Sequence, residues 1–182
     1  MILIISTCEE KLSELEFVKP IEDIVEKDVE KDFTTKHYSQ LTKSDAIKAD
    51  KLIICGNALK DTQYLGGIEK FSFLKDFEKP VLGICAGMQI IAKIYGSEFV
   101  EKTEIGIEYI NISDKDVLFD NERASVYQFH KRVVKPSSDF KILAKSDTGT
   151  VHAIKHKTKT FYGVLFHPES RHKEIIENFL KI

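Results

Sequence analysis

The stretch Lys79-Pro-Val-Leu-Gly-Ile-Cys85-Ala-Gly-Met-Gln-Ile-Ile-Ala-Lys-Ile-Tyr-Gly96 decides the fold. Pro80 has no N–H to give to a ladder, so it suits only the start of a strand. Val81 to Ile84 is a short apolar run fit for a strand buried on both faces. Gly83-Ile-Cys85-Ala-Gly87 follows with the G-x-nucleophile-x-G spacing of a nucleophile elbow, Cys in the nucleophile's place. So tight a strand-to-helix turn needs flanking glycines, because Cβ atoms there would clash, and it leaves the apical side chain standing alone. Ile90, Ile91 and Ile94 then form a helical apolar face, and Gly96 is a helix stop. A thiol at a helix N-terminus meets unpaired N–H groups and the positive end of the dipole, which favour the attacking thiolate. These five residues also suit a plain buried thiol beside a glycine-rich turn.

Composition sets the frame around this stretch. The chain has 182 residues, 42% hydrophobic and 31% charged, which predicts one soluble domain over 1–182 with a substantial core. No apolar run approaches a membrane span, and Met1-Ile-Leu-Ile-Ile-Ser6 lacks a signal peptide's basic start, so a cytoplasmic protein without a membrane partner is expected. A net charge of −2 gives no electrostatic case for nucleic acid. Cys8, Cys55 and Cys85 are odd in number and share no C-x-x-C spacing, so neither a disulfide framework nor a metal site is expected. A GxxxxGK[ST] phosphate loop is absent, and no cofactor is implied.

In chain order, Ile2 to Ile5 reads as a buried strand ending at Ser6-Thr7-Cys8. Glu9 to about Glu30 is charged and helical, broken by Pro20. Phe33 to Tyr38 alternates as a strand, Ser44-Asp45 caps a short helix through Ala49, and Lys51 to Cys55 is a strand closed by Gly56-Asn57. Residues 58–78 read as irregular or partly helical. The order β-α-β-α-β-x-β-α predicts a flavodoxin-like, doubly wound α/β fold, with a mostly parallel central sheet and helices on both faces. Short runs at Ile107–Ile112, Ala124–Phe129, Lys141–Lys145, Val151–Lys155 and Phe161–Phe166 add antiparallel strands in the second half, and Ser170 to Ile182 closes as a helix.

A catalytic Cys needs a base, and the base needs an orienting group. Phe161-Tyr-Gly-Val-Leu-Phe-His167-Pro-Glu169 offers both. His167 ends a strand, where side chains of an open α/β sheet converge on the crevice beyond the strand tips. Glu169, two residues on, is within reach of the second imidazole nitrogen. Alone, His-Pro-Glu is more often a charged turn; beside an elbow Cys the catalytic reading leads.

Gly-Ile-Cys85-Ala-Gly-Met-Gln and Gly163-Val-Leu-Phe-His167-Pro-Glu169 together resemble the class I, or triad, glutamine amidotransferases, from about Asp50 to the C-terminus. The resemblance implies a glutaminase acting on L-glutamine, with Cys85 forming a γ-glutamyl thioester, His167 as general acid/base and Glu169 orienting it. It implies oxyanion donors at the N–H of Ala86 and in the Gly56-Asn57 loop, where Asn57-Ala58 departs from the family's usual two glycines and proline. Gln89 matches the family's substrate-contacting Gln, with a solvated first-turn amide as its plainer reading. The Phe129-His130 pair falls where the family places Ser-His or Asn-His near the substrate's α-amino and carboxylate groups, with Phe129 in place of the small polar residue. A surface strand histidine is the alternative for His130.

Gly-Met-Gln, Leu143-Ala-Lys-Ser-Asp147 and His167-Pro-Glu-Ser-Arg-His172 are most similar to the glutaminase subunit of GMP synthetase, which implies a partner in a separate, ammonia-accepting synthetase subunit. Ile5-Ser-Thr-Cys-Glu departs from the Gly-Gln-Tyr type of first loop. Three other readings stay open. A stand-alone γ-glutamyl cysteine hydrolase would use the same triad. The DJ-1 and PfpI group shares the elbow but normally has His where this chain has Ala86. A non-catalytic module that binds glutamine or a synthetase would tolerate Asn57 and Phe129.

Overall fold

The computed structural model describes residues 1–28, 32–114 and 116–182. In chain order the strands are β1 (Ile2–Ser6), β2 (Phe33–His37), β3 (Lys51–Ile54), β4 (Val81–Ile84), β5 (Glu98–Ile112), β6 (Arg123–Lys135), β7 (Phe140–Ser146), β8 (Val151–His156) and β9 (Phe161–Val164). The α-helices are α1 (Glu14–Phe17), α2 (Lys19–Asp28), α3 (Lys43–Lys48), α4 (Gln63–Gly66), α5 (Ala86–Ile94), α6 (Pro168–Arg171) and α7 (Lys173–Lys181), with a longer 3-10 stretch at Ile68–Lys75.

The strands form one sheet in the order β2-β1-β3-β4-β9-β8-β7-β5-β6. The first five are parallel neighbours and the rest pair antiparallel. The parallel half has the flavodoxin-type order with β9 as its fifth strand, so strand order reverses between β1 and β3, where open α/β sheets place their sites. Alternation along each strand feeds two cores. Ile2, Ile4, Ile53 and Leu82 pack with Val18, Ile21, Val25 and, from α7, Ile176 and Phe179. Leu3, Ile5, Leu52 and Ile54 pack with Met88 and Ile91 of α5 and with Phe71 and Leu74. Helices therefore cover both faces, as the sequence order predicts.

The local departures have physical causes. The α1–α2 break falls at Val18, and Pro20 sits in the first turn of α2, where a missing N–H costs nothing. The end of that expected helix at 29–31 lies outside the described residues. Thr42, rather than Ser44-Asp45, caps α3, through a capping box with Asp45. β5 begins nine residues before the predicted Ile107, because Glu98–Glu104 is a mostly charged, largely exposed ribbon whose two apolar residues, Phe99 and Val100, are adjacent and give no alternation. A register shift between Glu101 and Glu104 bulges β5 and bends the β5–β6 ribbon. Among the described residues no helix is long and apolar enough to cross a membrane.

Candidate active site

Cys85 joins β4 to α5 at φ 48° and is the one non-glycine residue with positive φ among those described. That strain is local and sterically enforced. A Cβ on Gly83 would stand 2.4 Å from the Gly87 carbonyl carbon, and one on Gly87 would stand 2.1 Å from the Ile54 oxygen. Both elbow glycines are thus required, one by the turn itself and one by the close approach of α5 to β3. Next to them, β4 and β9 pair in register, Ile84 against Val164, and the Cys85 N–H donates to the Val164 oxygen at 2.8 Å. This ladder delivers Cys85 and His167 to neighbouring strand tips. A Cβ on Gly56 would lie 2.6 Å from His167 Cε1 and 3.3 Å from Cys85 Cβ, so Gly56 fills the notch that the two side chains share.

His167 Nδ1 donates to Glu169 Oε1 at 2.7 Å, with both side chains buried. Nε2 is buried without a conventional hydrogen-bond partner. Burial alone would lower this imidazole's pKa, but the Glu169 carboxylate and then Cys85 outweigh it and hold the ring well above its ordinary value. Burial raises the Cys8 thiol to about 12 and pushes the Cys55 thiol well above its usual range. Those two are packed thiols at the ends of β1 and β3, outside the His167 pair.

The Gly56-Asn57 loop is stapled to the end of β1. Thr7 Oγ1 donates to the Cys55 oxygen at 3.1 Å and to the Gly56 oxygen at 3.4 Å, and Asn57 Nδ2 donates to the Thr7 oxygen at 3.2 Å. Because a trans peptide directs its C=O and N–H oppositely, holding the Gly56 carbonyl toward Thr7 turns the Asn57 N–H the other way. Ala86, the first residue of α5, carries one of the helix's orphan N–H groups. Thr7 gives no signal in the sequence, because its partners are backbone atoms 48 and 49 positions away.

β6 crosses this group with one edge against it. The Tyr127 oxygen accepts from the His167 N–H at 2.9 Å, and the Phe129 oxygen accepts from Cys85 Sγ at 3.6 Å. The Arg132 oxygen accepts from Gln89 Nε2 at 3.1 Å. The Phe129 ring stacks on Phe17 and Tyr127, each with centroids 6.2 Å apart, and meets His167 edge-on at 6.3 Å. Cys85, Gln89, Asn57, Tyr64 and Phe129 to Arg132 line a cavity of about 20 Å³. A single water needs roughly 10–15 Å³, so the enclosed part of this half-open cleft suits a water or two.

For two expected substrate contacts the plainer alternative does not hold in the structure. Gln89 is not a solvated amide: it is 2% exposed, its oxygen accepts from Tyr64 Oη at 2.5 Å and its nitrogen serves Arg132. His130 is not a surface histidine either. It is buried on the side of β6 opposite Phe129, with Nε2 3.0 Å from Glu104 Oε2 and its ring 6.2 Å from that of His152. Burial lowers the pKa of both histidines, His152 to about 4. Among the described residues no cluster of His, Cys, Asp or Glu is arranged to hold a metal.

An elbow cysteine, a paired His and Glu, and a flavodoxin-like sheet are joined by a match at the level of family. The family described as glutamine amidotransferase class-I matches residues 21–181, and the chain belongs to it. More particularly, it is 39% identical over 155 residues to the glutamine-hydrolysing GMP synthase subunit of Pyrococcus furiosus, covering 78% of this chain and 81% of that protein. The corresponding subunit of Sulfolobus acidocaldarius is 38% identical over 128 residues, 63% of this chain and 68% of that protein. Among solved structures, a Thermoplasma acidophilum protein described as a candidate GMP synthase subunit superposes with a TM-score of 0.87 at 23% identity, over 99% of this chain and 92% of that one. A Thermotoga maritima glutamine amidotransferase gives 0.73 at 18% identity, over 100% and 83%. At those identities the likeness is one of fold.

Proposed function

We propose that this chain hydrolyses L-glutamine through a Cys85 thioester and passes the ammonia to a separate synthetase subunit that makes GMP. The observation that carries the proposal is Cys85 held at φ 48° beside His167, whose Nδ1 is bonded to Glu169 at 2.7 Å. Cys85 gives its proton to His167, its sulfur attacks the side-chain carbonyl carbon of glutamine, and the carbonyl oxygen takes the charge. The N–H groups of Ala86 and Asn57 receive that charge, a role for which the stapled Gly56 carbonyl provides support. His167 donates its proton to the departing nitrogen, the C–N bond breaks and ammonia leaves. Water, giving a proton to His167, then cleaves the thioester to glutamate, and His167 returns the proton to sulfur. Glu169 orients the ring and stabilises its charged form throughout.

The GMP synthase relatives support the GMP assignment, and three unpaired thiols suit the reducing cytoplasm. The test is a glutaminase assay on the pure chain, then with the co-purifying protein and its nucleotide substrates. GMP formation from glutamine that vanishes in Cys85→Ala supports the reading. Full turnover without any partner favours a stand-alone hydrolase, and no turnover under any condition favours a regulatory module.

A further inference from the structure

The triad does not by itself explain what holds β6 against the thiol. The contact from Cys85 Sγ to the Phe129 oxygen is long, at 3.6 Å, and sulfur is a weak donor. Three residues further along β6, the fastening is shorter and made by an amide donor, part-buried at β6 and buried at Tyr64. Tyr64, in α4 and 3% exposed, donates from Oη to Gln89 Oε1 at 2.5 Å, and Gln89 Nε2 donates to the Arg132 oxygen at 3.1 Å. The amide can do this only in one orientation, because the Arg132 carbonyl can only accept and so takes the NH₂ end, which leaves Oε1 for the Tyr64 hydroxyl. Tyr64 thereby holds the far end of the Gln89 amide, and Gln89 ties α5 to β6.

We propose that Tyr64 is a positioning residue that, acting through Gln89, latches β6 over Cys85 and keeps the isolated chain closed. The proposal deepens the glutaminase reading, on which it rests, by giving the same site a closed state. In that state Gln89 spends both ends of its amide on the protein. A substrate that engages Gln89 must break the latch, and breaking it frees the strand whose Phe129 carbonyl faces the sulfur. Binding and opening are then one event. The Gly56-Asn57 loop is held separately, by the Thr7 hydroxyl and the Asn57 amide.

The test is thiol alkylation, which does not require glutaminase activity. Iodoacetamide is applied to the full chain, and modification of Cys85, Cys8 and Cys55 is followed separately by peptide mass analysis. Tyr64→Phe keeps the ring and removes the donor. It should speed Cys85 labelling roughly five- to thirtyfold, the span that losing one or two kcal/mol of closure produces, with Cys8 and Cys55 unchanged. Gln89→Leu, which removes both bonds at similar volume, should give at least the same rise. The Arg132 side chain of β6 also lies beside the Tyr64 hydroxyl, so the double variant should label at least as fast as Gln89→Leu alone. Rates within twofold of the parent in both single variants overturn the latch. If either variant exposes all three cysteines together, amide exchange on the unaltered chain decides. Amides of 127–132 that open independently of the β1–β3 core support the latch, and amides that open only with the core overturn it.

Discussion

The two sides of the site are built on different principles. On the parallel side, β4, α5, β9 and the Gly56 loop meet at distances that leave no space: hypothetical Cβ atoms on Gly83, Gly87 and Gly56 all fall within 2.6 Å of a neighbour. On the antiparallel side, β6 is held by carbonyl hydrogen bonds and by aromatic rings 6.2–6.3 Å apart. Steric exclusion is unforgiving, whereas a few hydrogen bonds and ring contacts, each worth about 1 kcal/mol, are displaceable. Cys85 and His167 are therefore set rigidly, and β6, which covers them, is held there by contacts that can be exchanged.

The largest effects should fall on the rigid side. Cys85→Ala and His167→Ala should each reduce glutamine turnover at least ~10⁴-fold, on the order of 5 kcal/mol, since a nucleophile and its base work as a unit. Steady-state rates check this, and appreciable turnover in His167→Ala would place the base elsewhere. Glu169→Gln should cost less. It removes the foremost attraction keeping His167 protonated, so an NMR titration should place the imidazole pKa lower than in the parent.

Next come the glycines. Gly87→Ala should destabilise by about 3 kcal/mol or more, because its methyl would drive α5 from β3. Gly66, where a Cβ meets nothing within 4 Å, should accept Ala with little change. Denaturant midpoints of the two variants compare a closed backbone contact with an open one. Equal midpoints would dissolve the distinction.

The third test concerns the buried polar side of β6. His152 titrates near 4 in the folded chain against an ordinary 6.5, and His130 is lowered in the same direction; Glu104, Lys102 and the two histidines face one another there. A histidine with a depressed folded pKa gives its full stabilisation above 6.5 and loses it as pH falls through about 4. The loss from His152 should reach on the order of 3 kcal/mol. Melting curves at pH 7 and pH 4.5 measure it, and His152→Leu should flatten part of the difference. The smallest effect belongs to Phe129→Leu, which should cost about 1 kcal/mol of stability by removing ring contacts and change KM more than kcat. A thousandfold fall in kcat would put Phe129 among the reacting groups.

The parallel half was readable because each of its rules is local. Apolar runs of four, a glycine two residues either side of Cys85, and a histidine ending a strand all announce themselves within a few positions. The Glu98–Glu104 ribbon was not readable, because its residues are half-exposed and charged and its pairing with β6 supplies the order. Gln89 and His130 illustrate a second limit. Their residue types suit substrate contact, yet the side chains are engaged by Tyr64 and Glu104, residues 25 and 26 positions away. Sequence named the chemistry of these groups, and tertiary packing decided what they touch.

The β4–β9 ladder has a consequence for how such a chain can vary in length. Cys85 and His167 are brought together by a register of four residue pairs, from Val81–Phe161 to Ile84–Val164. Everything between Tyr95 and Thr160 leaves that ladder and returns to it, so insertions in its exposed turns change no distance between sulfur and imidazole. One residue lost between Val164 and His167 would instead shorten the bend that carries the histidine from the end of β9 to the sulfur. Tolerance of the Cys85–His167 pair to insertion is thus a property of four rungs, whatever the length of chain strung between them.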